Sequence, residues 1–309
     1  MKKTIIHVGL HKTATTYLQN SVWPMVPNYT YLSRPYTQHN HAFNQLQYAD
    51  DSLYDADILQ SELAKIGYGN LLISDESLSG KPLSFSSINR SMIARRLHAQ
   101  FPEAEIILFL RDQTDIIKSH YSSYIKMPFG VKTIDQFLYK PKGDYSYQNF
   151  LAHPERFDMS SLYYNTNDVY LHLDCFKYSC LIELYSRLFK KCHVFLYEDF
   201  KRDQTSIIRK IETIMGQPIE TKSLSLTNKS LSSAALDARR QSNILTSSIK
   251  NRYLRKVLQQ IMRITANSSE QHIDKTINNS VANYYAADNQ KLKKLLPDLN
   301  WSAHLGKYK

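Results

Sequence analysis

Thr4-Ile5-Ile6-His7-Val8-Gly9-Leu10-His11-Lys12-Thr13-Ala14-Thr15-Thr16 is the stretch on which the fold turns. An apolar run meets a glycine, passes a lysine, and ends in paired hydroxyls before a stretch with helical periodicity. Residues 4–8 read as a buried strand, 9–13 as a loop, and 14–22 as a helix stopped by Pro24. A loop that links a strand to a helix N-terminus is suited to phosphate. Its backbone N–H groups are exposed, the helix end carries partial positive charge, and Lys12 adds a full one. Thr15 and Thr16 add hydroxyl donors. The nucleoside-triphosphate pattern G-x-x-x-x-G-K-[ST] is not met. Only Leu10 and His11 separate Gly9 from Lys12, and no glycine directly precedes that lysine.

The same strand–helix alternation continues along the chain. Residues 71–74, 105–110 and 193–197 read as further strands. Residues 57–66, 88–100, 115–126, 181–189 and 205–215 read as helices, the last closed by Gly216 and Pro218. From Ala234 onward the chain reads helical. This order predicts an α/β fold: a mainly parallel sheet flanked by helices, with its site at the carboxyl ends of the strands. The residues that follow each strand, 9–16, 74–77, 111–119 and 197–200, are therefore where chemistry is expected. Two segments leave the pattern. Residues 24–57 are rich in Tyr, Asn, His and Gln and read as an irregular excursion with a helix near 41–48. Residues 127–174 are aromatic-rich loops and short helices.

With 309 residues, 42% hydrophobic, and only 8 Gly and 10 Pro, the chain is long enough for one large globular domain spanning 1–309. The formal charge of +11 implies an anionic partner. A non-enzymatic nucleic-acid or polyanion binder would gather its cations in a continuous stripe. Here Lys and Arg are scattered, apart from modest clusters at Arg95-Arg96 and 250–256, so no specific nucleic acid is expected. Cys175, Cys180 and Cys192 form no CxxC pair, and His172 and His193 add no zinc-ligand spacing. Free thiols fit a reducing compartment. No apolar run approaches the roughly 20 residues of a membrane span. The apolar stretch behind Met1-Lys2-Lys3 is short and reads as the first core strand, not a signal peptide. A cytoplasmic protein is expected, with peripheral membrane contact left open.

A second anion motif follows the third strand. Ile106-Ile107-Leu108-Phe109-Leu110 ends in Arg111, and Ser119 stands eight positions later on the next helix. Arginine offers a planar fork of donors to a phosphate dianion, and a serine on the adjoining helix donates to the same oxygens.

Together these motifs resemble the PAPS-dependent sulfotransferase family, whose phosphosulfate loop has the form G-x-x-K-[ST]-G-[ST]-[ST]. Gly9, Lys12, Thr13, Thr15 and Thr16 match it. Ala14 stands where glycine is usual and is expected in an ordinary helical conformation. The family's 3′-phosphate motif is matched by Arg111 and Ser119. Val194-Phe195-Leu196-Tyr197-Glu198-Asp199 is similar to the family's strand ending in Y-E-D, which implies that Tyr197 lies near adenine. Asn228-Lys229-Ser230 resembles a loop that closes near the nucleotide in bacterial members, and 284–296 their closing helix. The resemblance implies a P-loop-like three-layer sandwich and a donor site of His11, Lys12, Thr13, Ala14, Thr15, Thr16, Arg111, Ser119, Tyr197, Asn228 and Ser230. It implies PAPS as donor, PAP as product, and no metal.

By the same resemblance, Lys12 stabilises charge on the bridging oxygen as it leaves, and Ser119 helps hold Lys12 until the acceptor arrives. A base must take the acceptor's proton. Glu76, just beyond the second strand, is the first candidate, with His41 and His39 as alternatives because histidine titrates in the useful range. His11 shapes the loop. The tyrosines of 24–57 and 127–174 suit a saccharide-like acceptor, a glycan or glycolipid hydroxyl. The runner-up reading is a P-loop-like kinase, which needs ATP, Mg²⁺ and a metal-holding acid; Asp75 would be that acid.

Overall fold

Ile106, Leu108 and Leu110 pack on one side of their strand, and Ile107 and Phe109 on the other. A strand buried on both faces needs helices above and below it, and this one sits inside such a sandwich. The structure, a computed structural model, describes residues 2–80, 89–138, 173–220, 233–246 and 281–301, and the single positions 82, 169, 171, 249 and 253. Asn228 and Ser230 lie outside the described residues, as does most of 139–172.

Among the described residues five strands form one sheet: β1 (Thr4–His7), β2 (Tyr29–Ser33), β3 (Asn70–Ser74), β4 (Glu105–Leu110) and β5 (Lys191–Leu196). Their spatial order is β2-β3-β1-β4-β5, and every neighbouring pair is parallel. From β1 the chain runs out to the edge strand β2, returns to β3 beside β1, then crosses to β4 and β5 on the other side. The carboxyl end of β1 is thus a topological switch point, where open α/β sheets bind ligands.

On one face, Ile5, Leu72, Ile107, Phe109 and Phe195 meet Leu18, Val22, Trp23, Phe200, Ile207 and Ile211. These come from the helical run after β1, from α9 (Tyr197–Arg202) and from α10 (Gln204–Met215). The other face is larger. It packs α3 (His41–Tyr48), α4 (Ala56–Ile66), α5 (Arg90–Gln100), α6 (Gln113–Ile125), α8 (Tyr178–Leu188) and α12 (Ala282–Leu295) around Ile6, Ile73 and Leu108. Each large apolar side chain taken fully out of water contributes about 1.5–3 kcal/mol before the cost of ordering it. The remaining helices are α1 (Thr15–Tyr17), α2 (Arg34–His39), the short α7 (Ile134–Phe137) and α11 (Ser233–Thr246).

Several expectations are corrected. The excursion 24–57 is not merely irregular. Tyr29–Ser33 is the edge strand β2, in register with β3 from Tyr29 opposite Asn70 to Ser33 opposite Ser74. Pro24 does not stop the first helix. That run continues from α1 into a π-wound turn at Leu18–Val22 and a 3₁₀ turn at Trp23–Met25, where Pro24 fits because the first turn of a helix leaves its N–H groups unbonded. Tyr197 does not end β5. It opens α9, so its ring leaves the sheet at the carboxyl edge.

Candidate active site

Each of the five strands delivers a polar or charged group at its carboxyl end. Gly9 to Thr16 follows β1, Arg34 follows β2, Asp75 and Glu76 follow β3, Arg111 follows β4, and Tyr197 follows β5.

The loop after β1 is wound tightly. Gly9, Lys12 and Ala14 all have positive φ, at 63°, 72° and 64°. Ala14 is therefore not in an ordinary helical conformation. It occupies the left-handed region at the N-cap of α1, which glycine adopts freely and alanine only with strain. The chain must reverse there to bring the helix back over the sheet. The hydroxyls of Thr13 and Thr15 both donate to the carbonyl of Leu10, at 2.7 and 3.0 Å. These buried threonines brace the loop and do not present their hydroxyls outward. Thr16 is exposed.

Arg111 joins the loop to the far side of the sheet. Its Nη1 donates to the carbonyl of Lys12 at 2.9 Å, and its guanidinium lies 4.7 Å from the centroid of Tyr197. Such cation–π stacking contributes about 0.5–1 kcal/mol where water reaches it and more where it does not. The buried Nε of Arg111 has no hydrogen-bond partner among the described residues. Its carbonyl accepts from the Tyr178 hydroxyl at 2.7 Å. Asp112 caps α6 by accepting from the Asp115 N–H at 3.0 Å, and its own N–H donates to Glu198 at 3.0 Å. Ser119 is half-buried on α6, and no hydrogen bond joins it to Lys12 among the described residues. The ring of His120, the next residue, lies 6.2 Å from that of His11 and 5.7 Å from that of Phe176. Burial holds the His120 imidazole well below its usual pKa, and the charges of His11, Lys12 and Arg111 push the same way.

Lys12 is exposed by surface area, yet surrounding atoms strip some water from its ammonium. This desolvation lowers its pKa first, and the cations Lys126, Arg111 and Arg34 add to the effect; Glu76 opposes it. An ammonium crowded by cations gains when an anion arrives.

Glu76 is only 6% exposed. A Cβ on Gly9 would stand 2.8 Å from the Glu76 Cβ, so only glycine lets the loop lie this close. Arg34 pairs with Glu76 Oε1 through Nη1, and Gln19 Nε2 donates to Oε2 at 3.1 Å. Burial raises the Glu76 carboxyl above its ordinary value. Arg34, and more weakly Gln19, hold part of that rise back, and neighbouring Asp75 adds to it. Asp75 is itself buried and accepts from the Thr37 hydroxyl at 2.6 Å and the Ser77 N–H at 2.8 Å.

The structure thus brings together His11 to Thr16, Glu76, Arg111 and Tyr197. It leaves His41 exposed on the first turn of α3, with no hydrogen bond or ring contact to the loop among the described residues; His39 is likewise exposed. Sequence reasoning missed Arg34 and Gln19. Arg34 could have been found, since the alternation in Tyr29-Thr30-Tyr31-Leu32 marks a strand and Arg34 stands just past its end. The tyrosines of the excursion are largely engaged inside the fold. Tyr29 donates to the Met215 carbonyl, Tyr31 to the Gln19 carbonyl, Tyr36 to Glu62, and Arg96 covers the Tyr54 ring.

Among the described residues no helix is long and apolar enough to cross a membrane, and no three His, Cys, Asp or Glu side chains gather as a metal-ligand set. No protein-family model matches the chain, and comparison with curated proteins finds no match. Among solved structures, the chain is similar to one described as the crystal structure of a sulfotransferase from Alicyclobacillus acidocaldarius. The two share 15% sequence identity over 85% of this chain and 96% of that one, with a TM-score of 0.48.

Proposed function

We propose that this chain transfers a sulfuryl group from PAPS to a hydroxyl or amine of an acceptor by in-line displacement. One observation carries the reading: the Arg111 guanidinium that bonds the phosphate loop at Lys12 also lies over the Tyr197 ring. A nucleotide with phosphates at both its 3′ and 5′ positions needs such an arrangement, with a cradle for one anion, a fork for the other, and an aromatic face between them for the base.

The residues present suit that donor. Loop N–H groups from Gly9 to Thr16, with Lys12 and the exposed Thr16 hydroxyl, would hold the 5′-phosphosulfate. Arg111, whose Nε is without a partner among the described residues, and Ser119 would take the 3′-phosphate, and Tyr197 would face the adenine. In the transfer, the acceptor oxygen forms a bond to sulfur as the bond from sulfur to the bridging oxygen breaks. The electron pair of that bond leaves with the phosphate of PAP. Lys12 is the cation on the loop that meets this charge, an effect commonly worth factors of about 10²–10³ in rate. The acceptor's proton passes to Glu76, a buried carboxylate whose stem lies against the same loop. A polyhydroxylated, saccharide-like acceptor suits the charged surroundings of Arg34, Glu76 and Lys126. The tyrosines of 24–57 lend little support to it, because most have internal partners.

The kinase reading finds less support. Asp75, the acid it requires, is buried under Thr37 and the Ser77 N–H and stands 3.9 Å from Arg34.

Thermal stabilisation by PAP, set against ATP with Mg²⁺, tests the proposal in wild type, Lys12→Ala and Arg111→Ala. A ligand at one hundred times its Kd adds about 2.7 kcal/mol. PAP should stabilise wild type without metal, and Arg111→Ala should blunt the effect. Stabilisation by ATP with Mg²⁺ and none by PAP would replace this reading with the kinase.

A further inference from the structure

Gln19 lies in the π-wound turn Leu18–Val22, on the helical run that leaves the phosphate loop. Single π-turns inside helices recur at functional sites, because the wider winding frees carbonyls and redirects side chains. Here the Gln19 carbonyl accepts from the Tyr31 hydroxyl at 3.2 Å. The Gln19 Nε2 lies within 3.2 Å of the Ser74 carbonyl, 3.3 Å of the Ser74 Oγ and 3.1 Å of Glu76 Oε2. A primary amide has two N–H bonds, so it can tie the end of β3 with one and the Glu76 carboxylate with the other. Ser74 is fixed in turn. Its Oγ is 2.8 Å from His7 Nδ1, which also accepts from the Trp23 indole N–H at 3.2 Å. Burial drives the His7 pKa down to about 3, so this ring stays neutral and the anchor does not change with pH near neutrality.

The two oxygens of Glu76 are therefore held by different elements, Oε1 by Arg34 from α2 and Oε2 by Gln19 from the run after β1. Two donors on opposite oxygens fix the plane of a carboxylate, as one cannot. Gly9 fixes its stem against the loop that carries Lys12. The charged or titratable groups that face Glu76 are Arg34 from α2, Asp75 beside it, Lys12 from the loop and the Tyr31 phenol from β2.

We infer that Gln19 is a positioning residue, which holds the Glu76 carboxylate ionised and turned to receive the acceptor's proton. The inference rests on the sulfotransferase reading only for the identity of the reaction. The acceptor's O–S bond forms as the bond from sulfur to the bridging oxygen breaks, its electron pair leaving on the phosphate of PAP, and the proton of the acceptor's O–H ends on a Glu76 oxygen.

The test is a carboxyl titration by NMR on the full chain labelled with ¹³C at glutamate, with the Glu76 signal assigned by its loss in Glu76→Gln. Gln19→Met keeps the length and removes the donor, and Gln19→Glu keeps the length and adds a like charge. The Glu76 midpoint should rise in Gln19→Met and further in Gln19→Glu, since hydrogen bonds to a carboxylate favour its charged form. With PAPS and an accepted hydroxyl substrate, the acidic limb of kcat/KM should move up by the same amount, with the KM for PAPS unchanged. Circular dichroism and urea midpoints show whether each variant is folded, and the reading can be taken from either variant. A Glu76 midpoint that stays put in a folded variant reduces Gln19 to a packing residue and overturns the inference. A midpoint that moves while the acidic limb does not overturns the proton-acceptor role but leaves the donor reading standing. A midpoint that moves in a chain unable to bind PAP sinks the sulfotransferase reading and still supports the hold of Gln19 on Glu76.

Discussion

Replacing Ala14 by glycine should stabilise this protein, although the same change in an ordinary helix would weaken it. Ala14 has φ 64° and ψ 15°. For a residue with a Cβ, the left-handed region costs about 1–2 kcal/mol. Glycine removes that cost but loses more backbone freedom on folding, about 0.5–1 kcal/mol against alanine. Taking the middle of each range leaves a net gain of about 0.75 kcal/mol for Ala14→Gly. At about 2.1 cal/mol/K of unfolding entropy per residue, a chain of this length gains about 1–1.5 °C in Tm, a shift small enough that denaturant is the better assay. Urea unfolding should show a higher midpoint with an unchanged slope. Ala14→Val should move the midpoint down, because a β-branched side chain tolerates positive φ worse than alanine does. A lower midpoint for Ala14→Gly, by the roughly 0.5–1 kcal/mol seen for glycine inside helices, would mean that Ala14 is helical and that the strain argument is wrong.

Two further expectations concern stability away from the loop. Glu105, at the start of β4, meets Lys3 at 3.2 Å, Lys191 at 3.6 Å and His193 at 2.6 Å. Burial works against its charged form, but the hydrogen bonds from His193 and Lys3 and the lysine charges outweigh burial and hold the carboxyl below its usual value. A depressed folded pKa contributes stability that is present above the unfolded value of about 4.3 and is lost as pH falls through the folded one. Glu105→Gln should therefore cost about 1 kcal/mol or less at pH 7, with the gap closing below that folded value; a gap as large at pH 3 as at pH 7 would refute the electrostatic account. Asn243 is fully buried on α11, and its Nδ2 lies 3.0, 3.0 and 2.9 Å from the carbonyls of Ile125, Met127 and Gly130 at the end of α6. Asn243→Ala should cost about 1–3 kcal/mol in urea unfolding, because the Ile125 and Gly130 carbonyls lose this donor while that of Met127 keeps the Gly130 N–H. A loss under about 0.5 kcal/mol would show that water reaches them.

Much of the fold was legible because its signals are local. The run from Ile106 to Leu110 had to be a strand buried on both faces, and the glycine and lysine after β1 had to form a loop between strand and helix. The positions of Arg111, just past β4, and of Ser119, on the next helix, follow from the same local pattern. The rule that sites gather at the carboxyl ends of parallel strands points to Glu76 and Tyr197, and both stand just past the end of a strand. It does not reach Arg34, because β2 is a short edge strand whose polar and aromatic surroundings read as an irregular excursion.

What the sequence determined by itself was the α/β class, the loop between the first strand and its helix, and which side chains stand just past the carboxyl ends of most strands. The tertiary structure decided how those places meet. Arg34 reaches Glu76 across 42 residues of chain, and Gln19 across 57. No periodicity encodes such a pairing, because it depends on β2 and β1 lying on either side of β3 in the sheet. The left-handed turn at Ala14 has the same origin: alanine's own preference is helical, and the need to fold the helix back over the sheet overrides it.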